Sequence, residues 1–324
     1  MAVYTQLNDE EIAALLQAYP IGELRLAMGI AQGVENSNYL IEAQAPDDVR
    51  RKYILTLYEK RVDPDDLPFF IGLMEHLAGK GVPCPLPVHT RDGAVIVQAK
   101  GRPAAIVSFL NGRSYSVIRT ELMASLGSHI AQLHVAAADY SLSRPNDLSL
   151  DGWWRIFRGV HAQLDGIEAG LESAVRHELE YLSAHWPQDL PRGIIHADLF
   201  PDNVFFDGAQ VSGIIDFYFA CEDMLAYELA VCLNCWCFEH SGEFNVTKAQ
   251  MMLRHYDKGR ALSEAERAAL PVLARGAALR FLLTRAHDLI HHPEGALVTP
   301  KNPLEYYHKL RFHQGVQSAT GYGL

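Results

Sequence analysis

The hydrophobic pattern of the chain changes period once, near Asn111-Gly112, and that change restricts it to an α+β fold in two parts. Ahead of it, LRLAMGI, NYLIEAQ and YILTLY, then AVIVQAKG and PAAIVSFL, are short β-rich runs parted by loops such as AQGVENS and APDDVRRK. Two helical stretches lie among them. In DEEIAALLQAYPIG the residues Ile12, Leu15, Leu16 and Tyr19 share one face, and Pro20 with Gly22 closes the helix. In LPFFIGLMEHLAGKGV the face is Leu67, Phe70, Ile71, Met74 and Leu77, with acids ahead of it and Gly81 just past its end. Beyond the change, TELMASLGSHIAQLHVAAA, RHELEYLSAHW, YELAVCLNCWCFEH and EAERAALPVLARGAALRFLLTRAHDLI read as helices, the last containing Pro271. One β-hairpin signal interrupts them at GIIHADLFPDNVFFDGAQVSGIIDF. The expected organisation is a strand-rich lobe over residues 1–110 and a helix-rich lobe over residues 111–324.

A chain of 324 residues has the length for two lobes, and its formal net charge of −11 repels polyanions. Nucleic acid and anionic membrane are therefore unsuited as partners, and an anionic small molecule needs a metal ion or a local positive cluster beside it. The N-terminal stretch has no basic flank followed by an apolar run, which predicts a cytoplasmic protein. Four of the five cysteines bunch between Cys221 and Cys237 and read as reduced thiols. Cys232-x-x-Cys235-x-Cys237 lies in an apolar helix with no second pair to complete a zinc site.

The hairpin segment carries His196-Ala-Asp198-Leu-Phe-Pro-Asp-Asn203 and, thirteen residues after Asn203, Ile-Ile-Asp216-Phe. Pro201-Asp202-Asn203 is also good turn chemistry, but a turn does not account for a second aspartate after an apolar strand. Phosphoryl transfer needs one group to orient the nucleophile and accept its proton, plus oxygen ligands for Mg²⁺. Asp198 fits the first role, Asn203 and Asp216 the second, and His196 braces the loop.

His-x-Asp-x-x-x-x-Asn followed by an apolar pair and Asp-Phe is the pair of loops found in the protein-kinase-like fold. On these residues the chain resembles the aminoglycoside phosphotransferase and choline kinase branch. On YILTLYEKR, DLPFFIGLMEHLAGKGVPCPLPV, PAAIVSFLNGRS and IIHADLFPDNVFF it resembles the bacterial homoserine kinases of that branch. The resemblance implies a small antiparallel N-terminal sheet with one helix, a larger helical C-terminal lobe, ATP and Mg²⁺ as cofactors, and L-homoserine as the small-molecule acceptor. It implies nucleotide contacts at Gly29, Gly33, Asn36 and Ser37 in the loop after the first strand, and at Glu75. Ser108, Phe109 and Leu110 would form the adenine-binding hinge.

One departure is plain: Thr56 stands where the third strand of a kinase carries a phosphate-binding lysine. Lys52 and Lys60 share its strand face but are four residues away, about 13 Å along a strand. Asp223 and Glu228 read as helix-start acids. A homoserine acceptor presents a carboxylate and an ammonium, for which Tyr218, Asn234, Trp236, Arg280 and Arg285 are the candidates. A choline acceptor would instead need an aromatic cage, from Trp153, Trp154 and Trp236. The Thr56 departure also leaves room for a nucleotide-binding protein without transfer activity. A metal-dependent hydrolase built on His196 and Asp198 lacks a second histidine-rich motif.

Overall fold

A computed structural model describes residues 4–30, 36–45, 47–59, 63–292 and 299–324. The chain divides into two compact units, Met1–Gly112 with Gly213–Tyr218, and Arg113–Ser212 with Phe219–Leu324.

In the smaller unit, α1 (Asp9–Leu16) starts on a capping box in which Asn8 accepts from the Glu11 N–H and Glu11 accepts in return from the Asn8 N–H. Gly22 then turns the chain at φ +97°, where a β-carbon would overlap the Gln44 carbonyl. Strands β1 (Glu23–Gly29), β2 (Ser37–Gln44) and β3 (Arg50–Leu57) follow as an antiparallel meander. The helix α2 (Leu67–Gly79) has Pro68 in its first turn, and β4 (Val97–Ala99) and β5 (Arg102–Ser108) complete a five-stranded sheet of order β1-β2-β3-β5-β4. Alternate residues of β2 are buried, so Tyr39, Ile41 and Ala43 join Ile12, Leu16, Leu55, Leu57 and Ile106 in one core.

The larger unit is mainly helical. It contains α3 (Leu122–Ala136), α4 (Leu150–Leu164), α5 (Leu171–His185), the strands β6 (Arg192–Ile195), β7 (Val204–Asp207), β8 (Gln210–Ile214) and β9 (Cys221–Met224), and then α6 (Leu225–Trp236), α7 (Val246–Gly259), α8 (Glu264–Ile290) and α9 (Leu304–Gln314). The last two residues of β8 are counted with the smaller unit. The expected hairpin is narrower than its sequence signal: β7 pairs with β8, whereas β6 pairs antiparallel with β9. A second capping box, Ser263 with Glu266, opens α8, which runs on through Pro271. Among the described residues no helix is long and apolar enough to cross a membrane.

Candidate active site

The loop from His196 to Asn203 leaves β6 and enters β7 through a single 3-10 turn. Ala197 sits there at φ +62°, a left-handed conformation that costs a non-glycine residue about 1–3 kcal/mol. Its neighbours hold it there. Glu228 on α6 accepts the backbone N–H groups of both His196 and Ala197, the latter at 3.1 Å. From α8, Arg280 Nη1 donates to the Ala197 carbonyl at 2.6 Å, and from α6, Trp236 Nε1 donates to the Leu199 carbonyl at 2.7 Å. The Asp198 N–H donates to His196 Nδ1 at 3.3 Å. Asn203 Nδ2 donates to both the carbonyl and the Oδ2 of Asp198, at 2.8 and 3.2 Å. Asp198 is thereby fixed through its backbone and its carboxylate, and it remains half-buried rather than enclosed.

Glu228 is fully buried, and that burial raises its carboxyl to about 7 even though the two N–H bonds and the charge of Arg280 pull it down. It stands in the first turn of α6, but its carboxylate serves the loop rather than the helix start that the sequence implied. Asp223 is structural: it accepts from Asn146 Nδ2 at 2.7 Å and faces Arg192 at 3.4 Å.

Asp216 belongs to the segment Gly213–Tyr218 of the smaller unit and also has a left-handed backbone, at φ +66°. The segment is pinned by the Ile214 N–H, which donates to the Pro83 carbonyl at 2.7 Å. Tyr218 was expected to touch the acceptor. Instead its ring packs edge-on against Tyr58 and Phe70, and its hydroxyl lies 3.1 Å from that of Tyr58. Burial pushes its phenol well above the ordinary value, and the nearby Tyr58 and Asp216 add to the shift. Thr56, in the lysine position, donates to Asn38 Oδ1 at 2.8 Å.

The expected nucleotide contacts separate into two groups. Gly29 ends β1 in an exposed position, and Gly33 lies outside the described residues, as does Lys60. Phe109 is 37% exposed with the Lys52 ammonium 5.7 Å from its ring centroid, and Leu110 beside it is half-buried. The other positions are committed to the fold. Ser37 is fully buried; its hydroxyl donates to Glu59 and accepts the N–H groups of Tyr4 and Thr5. Asn36 accepts the Glu59 N–H at 3.2 Å, and the Ser108 hydroxyl accepts the Leu86 N–H at 2.9 Å. Glu75 takes His89 as its partner, since no lysine occupies position 56, and the pair raises the imidazole above its ordinary value after the larger contribution of the Gly93 carbonyl.

The other acceptor candidates have partners within the fold. Asn234 is fully buried, its amide donating to the Ala230 and Ala274 carbonyls, both at 3.0 Å, so it ties α6 to α8. Trp236 and Arg280 hold the loop backbone. Arg285 pairs with Glu305 at 2.7 Å and lies over the Tyr306 ring. The alternative aromatic cage does not form, because Trp153 and Trp236 are fully buried and Trp154 donates to Ser183. Three residues that matter here escaped their role in the sequence: Glu228, Trp236 and Arg280. Their signal was a charge or a polar edge inside an apolar helix, LAYELAVCLNCW or AALRFLL, where burial demands a partner.

Residues 27–262 match the phosphotransferase enzyme family. Homoserine kinase of Rhodospirillum rubrum is 56% identical over 324 residues, covering 100% of this chain and 99% of that protein. Homoserine kinase of Xanthobacter autotrophicus is 58% identical with the same coverage. Among solved structures, spectinomycin phosphotransferase in complex with ADP and spectinomycin superposes with a TM-score of 0.68 at 16% identity, over 98% of each chain. An amicoumacin kinase in complex with AMP-PNP, Ca²⁺ and Ami gives 0.67 at 15% identity, over 95% of this chain and 92% of that one. At such identities the structures speak to the fold alone, which is the α+β fold of the protein-kinase-like phosphotransferases.

Proposed function

We infer, for a chain that belongs to the phosphotransferase enzyme family and within it to the homoserine kinases, that it transfers the γ-phosphoryl group of ATP to the hydroxyl of L-homoserine, giving O-phospho-L-homoserine. The acceptor rests on one observation, more than half of all positions shared with homoserine kinases from end to end. The chemistry is supported by the geometry of the loop that carries Asp198.

Asp198 is the group that orients the acceptor hydroxyl and receives its proton. A half-buried carboxylate steadied by the Asn203 amide suits that task, since the aim is fixed before substrate arrives. With Nδ2 of Asn203 donating to Asp198, the polar atom left on that amide is its carbonyl oxygen, the donor type that Mg²⁺ prefers. Asn203 and Asp216 would hold the metal, which lowers the charge on the phosphate oxygens when bound. The net charge of −11 makes such neutralisation necessary for an anionic nucleotide. Gly29, Gly33, Asn36, Ser37 and Glu75, with the backbone of Ser108, Phe109 and Leu110, are the candidates for nucleotide contact.

The test is ADP release by the purified protein with Mg-ATP and, in parallel, L-homoserine, choline, an aminoglycoside or no acceptor. Release that requires homoserine is the expected result. Release that requires another acceptor would remove homoserine and keep phosphoryl transfer; none with any of them would remove both.

A further inference from the structure

We propose that Arg280 is a positioning residue of the phosphoryl-transfer reaction, acting through the backbone of Ala197 to aim Asp198. The proposal rests on the reading of Asp198 given above and deepens it.

The two polar groups of the Ala197 backbone are taken from two different helices. Its N–H goes to the Glu228 carboxylate on α6, and its carbonyl to the Arg280 guanidinium on α8. Ala197 is also the residue in the left-handed conformation, immediately before Asp198. A turn of that kind relaxes unless it is held from outside, and relaxation here rotates the peptide from which the Asp198 side chain departs.

Arg280 has the properties of a holder rather than of a substrate ligand. It is only 2% exposed, and the 2.6 Å bond commits Nη1 to the loop. The guanidinium lies 4.7 Å from the Phe281 ring centroid and 5.8 Å from that of Phe219, which fixes its plane. Among the described residues it makes no ion pair, and its positive charge acts on the buried Glu228 carboxylate. Burying a guanidinium is costly, and the bond to the Ala197 carbonyl offsets part of that cost only while the loop keeps this conformation. Arginine suits the place because its charge persists at any working pH and its donors are held in one plane, whereas a lysine ammonium is a flexible point charge.

The experiment measures kcat and KM for homoserine in Arg280→Lys and Arg280→Met, each alone and combined with Ala197→Gly. Glycine adopts the left-handed conformation without a steric penalty, so it lessens the need for a holder. The expected result is a fall in kcat of about 100-fold with KM for homoserine unchanged, and recovery of most of that loss in the glycine background. A rise in KM for homoserine with kcat preserved would make Arg280 an acceptor ligand and overturn the proposal. An equal loss of kcat with alanine or glycine at position 197 would overturn it as well. If Arg280→Met fails to fold in a thermal melt, Arg280→Lys with and without Ala197→Gly gives the same decision. Asp198→Asn is the separate control: should it keep the parent kcat, the reading of Asp198 fails, whatever Arg280 does.

Discussion

Alanine at position 198 removes a carboxylate while Glu228, Arg280 and Trp236 still hold the loop, so Asp198→Ala is expected to lose turnover and keep Mg-ATP binding, read by isothermal titration. Asp216→Ala is expected to weaken nucleotide binding as well, because it removes a proposed metal ligand. Trp236→Phe keeps an aromatic ring but removes part of a buried indole and leaves the Leu199 carbonyl with only the Cys235 thiol at 3.4 Å, a loss of about 1–3 kcal/mol in denaturant unfolding. At this scale the sequence singled out His196, Asp198, Asn203 and Asp216 as candidates, since the chemistry confines a few residue types to short stretches. It did not disclose that Glu228, Arg280 and Trp236 serve the same loop, because the contacts span 32, 83 and 37 positions. Nor did it disclose the partner of Ser37, since Glu59 lies 22 residues away.

The helices respond to different changes. In α8, Gly276 packs against Trp186 and Trp153, and a β-carbon there would overlap the Trp186 ring. Gly276→Ala is therefore expected to destabilise the protein by about 1–3 kcal/mol despite the better helix propensity of alanine. Ser263→Ala removes the capping box at the start of the same helix, which costs about 1 kcal/mol by the same denaturation measurement. Strands β1 to β3 and helix α2 were legible because their apolar residues keep one period and turn residues bound them. Helices α4, α7 and α9 were passed over. In α9 two of the four buried residues are Lys309 and His313, which a count of apolar positions does not register. In α4 the buried face Trp153, Phe157, Val160 and Leu164 has helical spacing, but two glycines and flanking charges obscure it. The pairing of β6 with β9 is a contact between distant segments and has no local signature.

For the molecule as a whole, two buried histidines contribute to the response to acid. His134 bonds the Tyr256 hydroxyl and His313 the Tyr322 hydroxyl, each at 2.8 Å, and burial pushes each imidazole down to about 3. The unfolded chain takes up these protons near pH 6.5 while the folded chain does not. The stability they contribute is present above that pH and is lost as pH falls from 6.5 towards 3, about 2 kcal/mol for each histidine between pH 7 and 5. Glu228 works in the opposite sense: its raised carboxyl favours the folded state at low pH, and that contribution is lost as pH rises through 4.5 to 7. Single substitutions separate the two. The destabilisation of His134→Gln relative to the parent, measured by urea unfolding, is expected to shrink by about 2 kcal/mol on going from pH 7 to pH 5. The two-part organisation was visible in the sequence from its change of period, whereas the grouping of Gly213–Tyr218 with residues 1–112 depends on contacts such as Ile214 to Pro83 that no periodicity encodes.

Thr56 has a consequence for chemical labelling. Affinity reagents that carry an electrophile on a nucleotide and acylate the third-strand amine of kinases meet here a hydroxyl already donated to Asn38. This phosphotransferase is expected to pass through such a labelling experiment unmodified at that position while still competing for the nucleotide itself. Introducing the amine, as Thr56→Lys, would restore a target for the reagent and break the Thr56 bond to Asn38 in the same step.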